Sequence, residues 1–393
     1  MEHKLKFLLS QYYLYQSNNR YFHQTSLESG IESVSTIMAQ FTPLSGLGGG
    51  AMIGLAAANL LISNGDIMGA SGIISSLALD PFKSFRDPSQ FWKVVFITSF
   101  LIMTWLLSST FNLAQVLELS RPTSLLGYGL AGLTVGFGTK LGNGCTSGHG
   151  ICGLARLSRR SFAAVMTFMA TAILTAYMTD PTAPWAAHTE FLRTVSAEGD
   201  GGSGKAMTEA AMILIAAFIL LTLSMPFFFL KNSTPDEWKK IGPAIVSGLL
   251  FAAGLSVSGM VYPYKVHGFL NITGIKDGSW DPTLAMVMLG GVVVSFLSYQ
   301  LVEGYSCIIS TKSCTLQSPL ALSRDCQFNI PKNQVIDHQL ILGAIMFGIG
   351  WGIAGVCPGP AFFQAGVGVP EMIQSWWPAY FVGAYLAKLY KGQ

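Results

Sequence analysis

The sequence predicts an all-α polytopic membrane protein with about nine transmembrane helices, re-entrant half-helices and two inverted repeats. Three observations predict this fold class: the scarcity of charge, the length of the apolar runs and an internal duplication. Lys and Arg number 23 and Asp and Glu 20, so charged residues make up 11% of the chain, against roughly 25% in soluble domains. Hydrophobic residues reach 51%, and the mean hydropathy is +0.47. Such a chain cannot cover a soluble surface with charge, which excludes an ordinary cytosolic enzyme. A net charge of +3 is too small for a nucleic-acid binder.

Nine apolar runs are long enough for the bilayer core, which needs about 20 mostly apolar residues per helix. They span residues 43–63, 91–111, 125–142, 161–179, 206–230, 241–260, 283–302, 338–356 and 370–390. Shorter half-apolar stretches follow four of these runs, at 66–79, 143–155, 262–275 and 358–368. Because these stretches are too short to cross and too apolar for plain loops, we expect them to be re-entrant segments.

Positive charge predicts the orientation, since cytoplasmic loops are enriched in Lys and Arg. With nine spans, five basic clusters fall on one side of the membrane, and one of them is formed by Arg156, Arg159 and Arg160. The C-terminus is therefore predicted to be cytoplasmic and the N-terminus to lie outside. We expect the plasma (inner) membrane, with an organelle membrane as the alternative.

The chain divides into four parts. Residues 1–37 form an N-terminal extension that we expect to be poorly ordered, and 38–180 form a first repeat. Residues 181–240 are a linker with one connecting transmembrane helix, and 241–390 are a second, inverted repeat with a polar loop near 303–337. The extension has few acidic residues, so an organelle-targeting peptide is the alternative.

Internal alignment predicts the duplication. An offset of 194 residues pairs Gly54 with Gly248, and an offset of 212 residues pairs Cys145 with Cys357. Each repeat holds four spans and one span lies between them, so the second repeat enters the membrane from the opposite face. Inverted repeats are typical of secondary transporters, whose substrate sites lie near the midplane where the repeats meet.

Both duplicated cysteines lie where a Gly-rich helix breaks and a short second helix begins. The sequence around Cys145 reads GNGCTSGHGICG, and that around Cys357 reads AGVCPGPAFFQAG. Two facing helix N-termini would offer free N–H groups and positive dipole ends to an anion. Neutral thiols beside them suit a soft anion. The alternative interpretation is that both cysteines are small buried residues at helix contacts.

Residues next to the two cysteines complete the core of the predicted pathway. Thr146 and Ser147 are predicted to cap the first short helix, and Pro358 suits the first turn of the second. Gly144 and Gly359 lie within two residues of a cysteine. All five are therefore predicted substrate-binding or pathway residues.

Four basic positions are candidates for contact with an anion. Lys140 lies about one turn before Cys145 inside an apolar span, where it either attracts an anion or extends to the interface. His149 follows Cys145 by four residues, so a helical segment would place both on one face. His149 would then be a proton partner or ligand contact, or would make a structural hydrogen bond. Lys265 and His267 are candidates for the equivalent task on the opposite side.

The cysteine segment carries a family resemblance. The signature of the YeeE/YedE sulphur-transport family closely resembles GFGTKLGNGCTSGHGICGLARLSRRS, and that family's second-half motifs resemble SGMVYPYKVHGFLNI, GSWDPTLAMVM and GWGIAGVCPGPA. The resemblance covers residues 38 to about 387. It implies an inverted-repeat fold with re-entrant loops, and uptake of thiosulfate or related sulfur species through the membrane-embedded Cys145 and Cys357. It also implies that two halves, which often occur as separate bacterial proteins, are fused here.

One departure from the family affects the substrate. Characterised thiosulfate carriers of the family use a further cysteine in the first-repeat loop, which here reads NGDIMGASGI and holds no Cys. Thiosulfate is thus the leading substrate, and persulfide, sulfide or another sulfur compound stays open.

The leading hypothesis is a transporter of a small sulfur-containing anion in a lipid bilayer, with a sulfur-accepting protein as a further partner. The sequence has no Walker-type GxxxxGK[ST] motif, and we predict no cofactor, no metal site and no nucleic-acid partner. The alternative from another class is a membrane sulfurtransferase or redox protein with a persulfide on Cys145, which needs a low-pKa thiolate. A third hypothesis is a scaffold or a channel for another solute.

Overall fold

The computed structural model describes residues 41–111, 113, 117, 123–179, 235–276, 278–302, 316–320, 322, 327–331 and 333–392. The N-terminal extension 1–37 and the connecting span 206–230 lie outside these residues, and so does much of the polar loop near 303–337. In the described part the regular secondary structure is helical, with an isolated bridge between Val302 and Leu316. The predicted all-α fold class is confirmed.

Capping and turn residues set the bounds of the helices in the first half. Pro43 lies in the first turn of α1, where its missing N–H is not needed, and Gly65, with a φ of 73°, ends the π-helical turn after α1. Ser124 accepts the Gly127 N–H at 3.1 Å and so begins α5. The elements are α1 (Pro43–Asn59, continued by a π-helical turn, Leu60–Asn64), α2 (Ala70–Leu79), α3 (Pro81–Arg86), α4 (Pro88–Phe111), α5 (Leu125–Gly142), a π-helical segment (Thr146–Gly153) and α6 (Arg159–Thr179).

The second half uses the same devices. Asp337 accepts the Leu340 N–H at 2.7 Å at the start of α11, and Gly355, with a φ of 67°, ends that helix. Pro358 lies in the first turn of α12, as predicted. The elements are α7 (Pro235–Lys239), α8 (Ile241–Val257), α9 (Pro263–Leu270, followed by a 3₁₀ turn, Ile272–Ile275), α10 (Thr283–Gln300), α11 (His338–Ala354), α12 (Pro358–Val367), a π-helical turn (Met372–Trp376) and α13 (Trp377–Tyr390).

Six helical stretches in the described part are long and apolar enough to cross a membrane. They are Pro43–Asn64, Pro88–Phe111, Arg159–Thr179, Glu237–Val257, Thr283–Gln300 and His338–Val367. Two further predicted spans, 125–142 and 370–390, are not among the six. The first is α5, which is diluted by glycine and Lys140, and the second is mainly α13, which has only 14 residues. The six stretches confirm a polytopic membrane protein.

Two helix pairs run parallel with their backbones in contact. Gly50 of α1 lies against Val287 of α10, and Gly54, one turn further, lies against Gly291. A Cβ at Gly50 would come within 2.2 Å of the Val287 carbonyl oxygen, so only glycine allows this approach. α5 and α13 form the second pair. Each pair joins one helix from each repeat. The equivalent pairs, with the roles of the two repeats exchanged, are α8 with α4 and α11 with α6, and these helices also pack together.

The helices that match each other in the internal alignment run antiparallel. Gly49 of α1 lies against Ser258, just beyond the end of α8. Asn59, at the other end of α1, donates to the carbonyl of Pro243 near the start of α8, at 2.8 Å. This opposed direction is the geometry that inverted repeats require.

The second antiparallel pair, α5 and α11, defines the two ends of the bundle. Gly142 at the end of α5 lies against Gly343 near the start of α11. The start of α6 joins them, because Arg160 forms an ion pair with Asp337 at 2.9 Å. We call the end where α5 ends and α6 and α11 begin the basic end, and the opposite end, where α11 ends and α13 begins, the far end.

The chain between α5 and α6 leaves the basic end and returns to it, whereas the chain between α11 and α13 leaves and returns to the far end. Ser375, just before α13, donates to the Leu125 carbonyl at the start of α5, at 2.7 Å. The two segments meet, because the Thr146 hydroxyl donates to the Cys357 sulfur at 3.3 Å. Both segments are therefore re-entrant and enter from opposite ends. The other two stretches expected to be re-entrant, 66–79 and 262–275, contain the short helices α2 and α9.

Candidate functional site

A small buried cavity of about 70 Å³ lies where the two re-entrant segments meet. Its wall includes five residues of the predicted pathway: Cys145, Thr146, Ser147, Cys357 and Gly359. This volume exceeds the minimum of ~10–15 Å³ that one water needs, so the cavity has room for a small species. None of the described residues in its wall carries a charge.

Cys145 is held at the break by the residues on either side. Asn143, with a left-handed φ of 58°, ends α5, and Cys145 is extended before the π-helical segment. Cys145 is 1% exposed, and its sulfur lies 3.2 Å from the Ser147 hydroxyl. The N–H of Ala70, the first residue of α2, donates to the same hydroxyl at 3.1 Å. Ser147 therefore links the Cys145 thiol to the start of α2.

Cys357 occupies the corresponding position in the other half. It is extended between the end of α11 and the start of α12, and it is 4% exposed. The Thr146 hydroxyl is the donor to its sulfur. The neighbour of one cysteine thus contacts the other cysteine, which joins the two halves at the cavity.

The prediction that Thr146 and Ser147 cap the short helix is wrong. Cys145 occupies the capping position, Thr146 is the first residue of the π-helical segment, and no side chain caps it. Buried hydroxyls need hydrogen-bond partners. The sulfur atoms of Cys357 and Cys145 are within reach, so both hydroxyls turn toward the cavity instead of the helix backbone.

Three methionines also line the cavity: Met169, Met260 and Met288. Together with the two cysteines they bring polarisable sulfur to the wall. Sequence reasoning missed all three, because methionines in apolar helices are ordinary core residues by pattern. Their convergence depends on how α6 and α10 are rotated and on where the chain turns after α8, which the spacing of residues does not reveal.

A larger pocket of about 440 Å³ lies at the basic end. We call it the vestibule, and its wall includes Lys93, Lys140, Gly144, His149 and Arg156. The predicted pathway residues Lys140, Gly144 and His149 therefore lie around the vestibule and not around the cavity. The structure thus divides the predicted site into an uncharged inner part and a charged outer part.

His149 does not share a face with Cys145. Cys145 is extended and lies before the π-helical segment that holds His149, so their four-residue spacing does not place them on one helical face. His149 Nε2 donates to the Gly142 carbonyl at 3.2 Å, and Nδ1 accepts from the Ser161 hydroxyl at 3.1 Å. Both ring nitrogens thus make hydrogen bonds within the protein. This arrangement agrees with the alternative prediction for His149, a structural hydrogen bond.

Lys265 and His267 lie on α9 at the far end, outside the cavity wall. Lys265 Nζ forms an ion pair with Asp281 at 2.8 Å and donates to the Thr42 hydroxyl at 3.4 Å. The His267 ring packs against Gly355, where a Cβ would come within 2.6 Å of it. The structure therefore does not bring these two residues to the cysteines.

Cys152 is a third buried cysteine, and it lies outside the cavity wall. Its thiol donates to the Met68 carbonyl at 3.4 Å. This contact holds the chain before α2 against the π-helical segment.

Broken helices from opposed halves, meeting at a small cavity beneath a polar vestibule, define the class of protein as a membrane transporter. Residues 240–390 match a family of unknown function, DUF6691. A probable transporter of Xylella fastidiosa strain Temecula1 is 34% identical over 130 residues, which are 33% of this chain and 76% of the relative. A probable transporter of strain 9a5c is 35% identical over 130 residues and is covered to 77%. A further one from Temecula1 is 36% identical over 130 residues and is covered to 88%.

The chain belongs to the YeeE/YedE-type transporter family. The 130 matched residues are most of each relative but only a third of this chain, so the relatives are much shorter. This difference in length agrees with the expected fusion of two halves.

Proposed function

We propose that the protein carries a small sulfur-containing anion across the membrane, with thiosulfate as the leading substrate and Cys145 and Cys357 as the pathway cysteines. The observation that carries the proposal is the shared cavity. Its two cysteines come from re-entrant segments of opposite halves, and Thr146 connects them. A sulfur species can therefore pass from one thiol to the other within one enclosed space.

The chemistry of the wall suits a sulfur species. Thiosulfate is a small anion, and its terminal sulfur is soft and polarisable. Neutral thiols and the hydroxyls of Thr146 and Ser147 can donate to it, and the thioethers contact it without a charge. Thiolates would repel an anion, so the proposed passage requires neutral thiols.

The uncharged wall also favours a second candidate substrate. A dianion loses much hydration free energy in a site without charged partners, whereas a hydrosulfide or persulfide monoanion loses less. The first-repeat loop without cysteine points in the same direction. Sulfide and persulfide species are therefore the alternative substrates of the same pathway.

A thin wall separates the cavity from the vestibule. Ala70 and Ser147 line the cavity, whereas their neighbours Gly69 and Gly148 line the vestibule. The hydrogen bond from the Ala70 N–H to the Ser147 hydroxyl closes this wall. Passage toward the basic end requires that this bond opens, while the far-end side stays closed.

The basic end is proposed to face the cytoplasm, with the C-terminus on the same side and the plasma membrane as the location. Arg156, Arg159 and Arg160 lie at this end, and cytoplasmic faces are enriched in such residues. A sulfur-accepting partner protein would then meet the vestibule.

The geometry supports the sulfurtransferase hypothesis less well. A persulfide carrier needs a cation or base close to its thiol, but Lys140 and His149 lie in the vestibule wall. The Cys145 sulfur lies beside the Ser147 hydroxyl, which is neither a cation nor a base.

Uptake of labelled thiosulfate into proteoliposomes tests the proposal. We expect Cys145→Ala and Cys357→Ala each to abolish uptake. Cys152→Ala removes an equally buried thiol outside the cavity and should transport normally, which makes it the matched control. Each variant is compared with wild type for its melting temperature in detergent.

Each other result has a definite meaning. If wild-type vesicles take up sulfide or persulfide but no thiosulfate, the substrate is the alternative one and not thiosulfate. Uptake that is indifferent to both cavity substitutions would refute the cysteine pathway.

A further inference from the structure

We infer that the vestibule is a second anion site, which binds a small divalent oxyanion through Lys93, Lys140 and Arg156. The site extends the proposed pathway at its basic end and rests on the proposed function only for its place in transport. The cavity and the vestibule would divide the work: polarisable groups meet sulfur in the first, and cations meet oxygen in the second.

Charge pairing leaves the vestibule positive. Two acidic residues also line it, but each has its own lysine outside the wall. Asp66 lies 3.2 Å from Lys240, and Asp80 lies 3.6 Å from Lys388. None of the three vestibule cations has a salt bridge among the described residues, so their charge is available to a ligand.

Arg156 has an unsatisfied hydrogen-bond donor. One terminal nitrogen donates to the Pro331 carbonyl at 2.9 Å, but the buried Nε has no hydrogen-bond partner in the described part of the chain. A buried guanidinium N–H without an acceptor is costly. The oxygens of an oxyanion match the guanidinium fork and would supply the missing partner.

The start of α2 adds to the field in the vestibule. Gly69, Ser71 and Gly72, around the first turn of this ten-residue helix, lie in the vestibule wall. The unsatisfied N–H groups and the positive dipole end of a helix favour an anion. The helix end and the three cations thus face the same space.

Sulfate separates this site from the cavity. It has the charge and the oxygens of thiosulfate but no terminal sulfur, so the vestibule should bind it whether or not the protein carries it. Binding therefore needs no transport to be measured.

Calorimetric titration of the full chain in detergent at low ionic strength, with sulfate and with thiosulfate, tests the inference. We expect Lys140→Gln and Arg156→Gln each to weaken binding of both anions by about tenfold, the loss of one charge-assisted hydrogen bond. Lys276→Gln removes an exposed charge at the far end and should bind as wild type does. If Arg156→Gln does not fold, Lys93→Gln takes its place.

The outcomes are separable from those of the uptake assay. Wild-type protein that binds neither anion, or a loss with Lys276→Gln equal to that with Lys140→Gln, would overturn the site. Sulfate binding that depends on Lys140, together with absent thiosulfate uptake, would keep the site and refute thiosulfate as the substrate.

Discussion

One hydroxyl joins the two halves of the molecule at the cavity. Thr146 belongs to the first re-entrant segment, yet its hydroxyl donates to Cys357 of the second. Thiol sulfur is a weak acceptor, so the contact contributes little to stability. Its importance is geometric, because it holds the Cys357 sulfur toward the cavity that both cysteines line.

Substituting Thr146 tests this role. Thr146→Val keeps the shape but removes the donor. We expect the initial rate of substrate uptake to fall by up to about fivefold, because the loss of an ordinary hydrogen bond is the upper limit for this weaker one. Thr146→Ser keeps the hydroxyl and should retain most of the rate. Equal rates for the two variants would show that the hydroxyl has no part in passage.

The positions of the cysteines could be predicted from sequence, but their surroundings could not. Glycine and proline near each cysteine indicate the helix breaks, so the positions of Cys145 and Cys357 can be predicted from one sequence. Met288 and His149 were missed or misplaced for different reasons. The position of Met288 depends on the rotation of a long helix. That of His149 depends on the extended backbone of Cys145, which takes the cysteine out of the following helical segment and which no residue pattern predicts.

At the scale of helices, glycine decides how closely the halves approach. The parallel pairs α1 with α10 and α5 with α13 have backbone contacts at which a side chain has no room. Lipid tails give no hydrophobic drive to join two helices, so close packing of this kind holds such a bundle together.

Two alanine substitutions in α1 separate packing from helix propensity. Gly50→Ala places a Cβ 2.2 Å from the Val287 carbonyl oxygen, so we expect the free energy of unfolding to fall by about 1–3 kcal/mol. Gly48→Ala meets nothing within 4 Å and should be neutral or stabilising by up to about 1 kcal/mol. Unfolding curves in detergent measure both. Equal losses would mean that backbone contact is unimportant in α1.

The ion pair between α6 and α11 makes stability depend on pH. Burial alone would raise the pKa of Asp337, but the hydrogen bond from Arg160, the Leu340 N–H and the Arg160 charge outweigh it, so the pKa lies below its ordinary value of 3.8. This contribution is fully present above pH 3.8 and is lost as the pH falls through the lowered pKa.

We therefore expect Asp337→Asn to have a lower melting temperature than wild type at neutral pH. In acid the wild-type carboxylate becomes protonated, so the difference in melting temperature between the two proteins should become smaller. Asp80→Asn affects a more exposed and longer pair and is the control. A difference between Asp337→Asn and wild type that stays constant down to pH 2 would contradict the role of this carboxylate.

For the whole molecule, the sequence predicted the spans better than the site. Apolar length and duplicated glycine breaks report the crossing segments, because bilayer thickness and backbone hydrogen bonding leave few alternatives. Lys265 and His267 were candidates for the task of Lys140 and His149 on the opposite side. In the structure Lys265 forms an ion pair with Asp281, and His267 packs against Gly355.

In the proposed pathway, the vestibule would shorten the distance over which a membrane voltage acts. The vestibule extends from the basic end to Gly148, next to the cavity wall, so in the proposed pathway a water-filled vestibule would leave most of the electric field between that wall and the far end. One charge crossing 100 mV exchanges ~2.3 kcal/mol with the field. Most of that work would then be done within the cavity and the short stretch beyond it, so the passage of an anion through this protein would respond to voltage at the very step where it leaves one cysteine for the other.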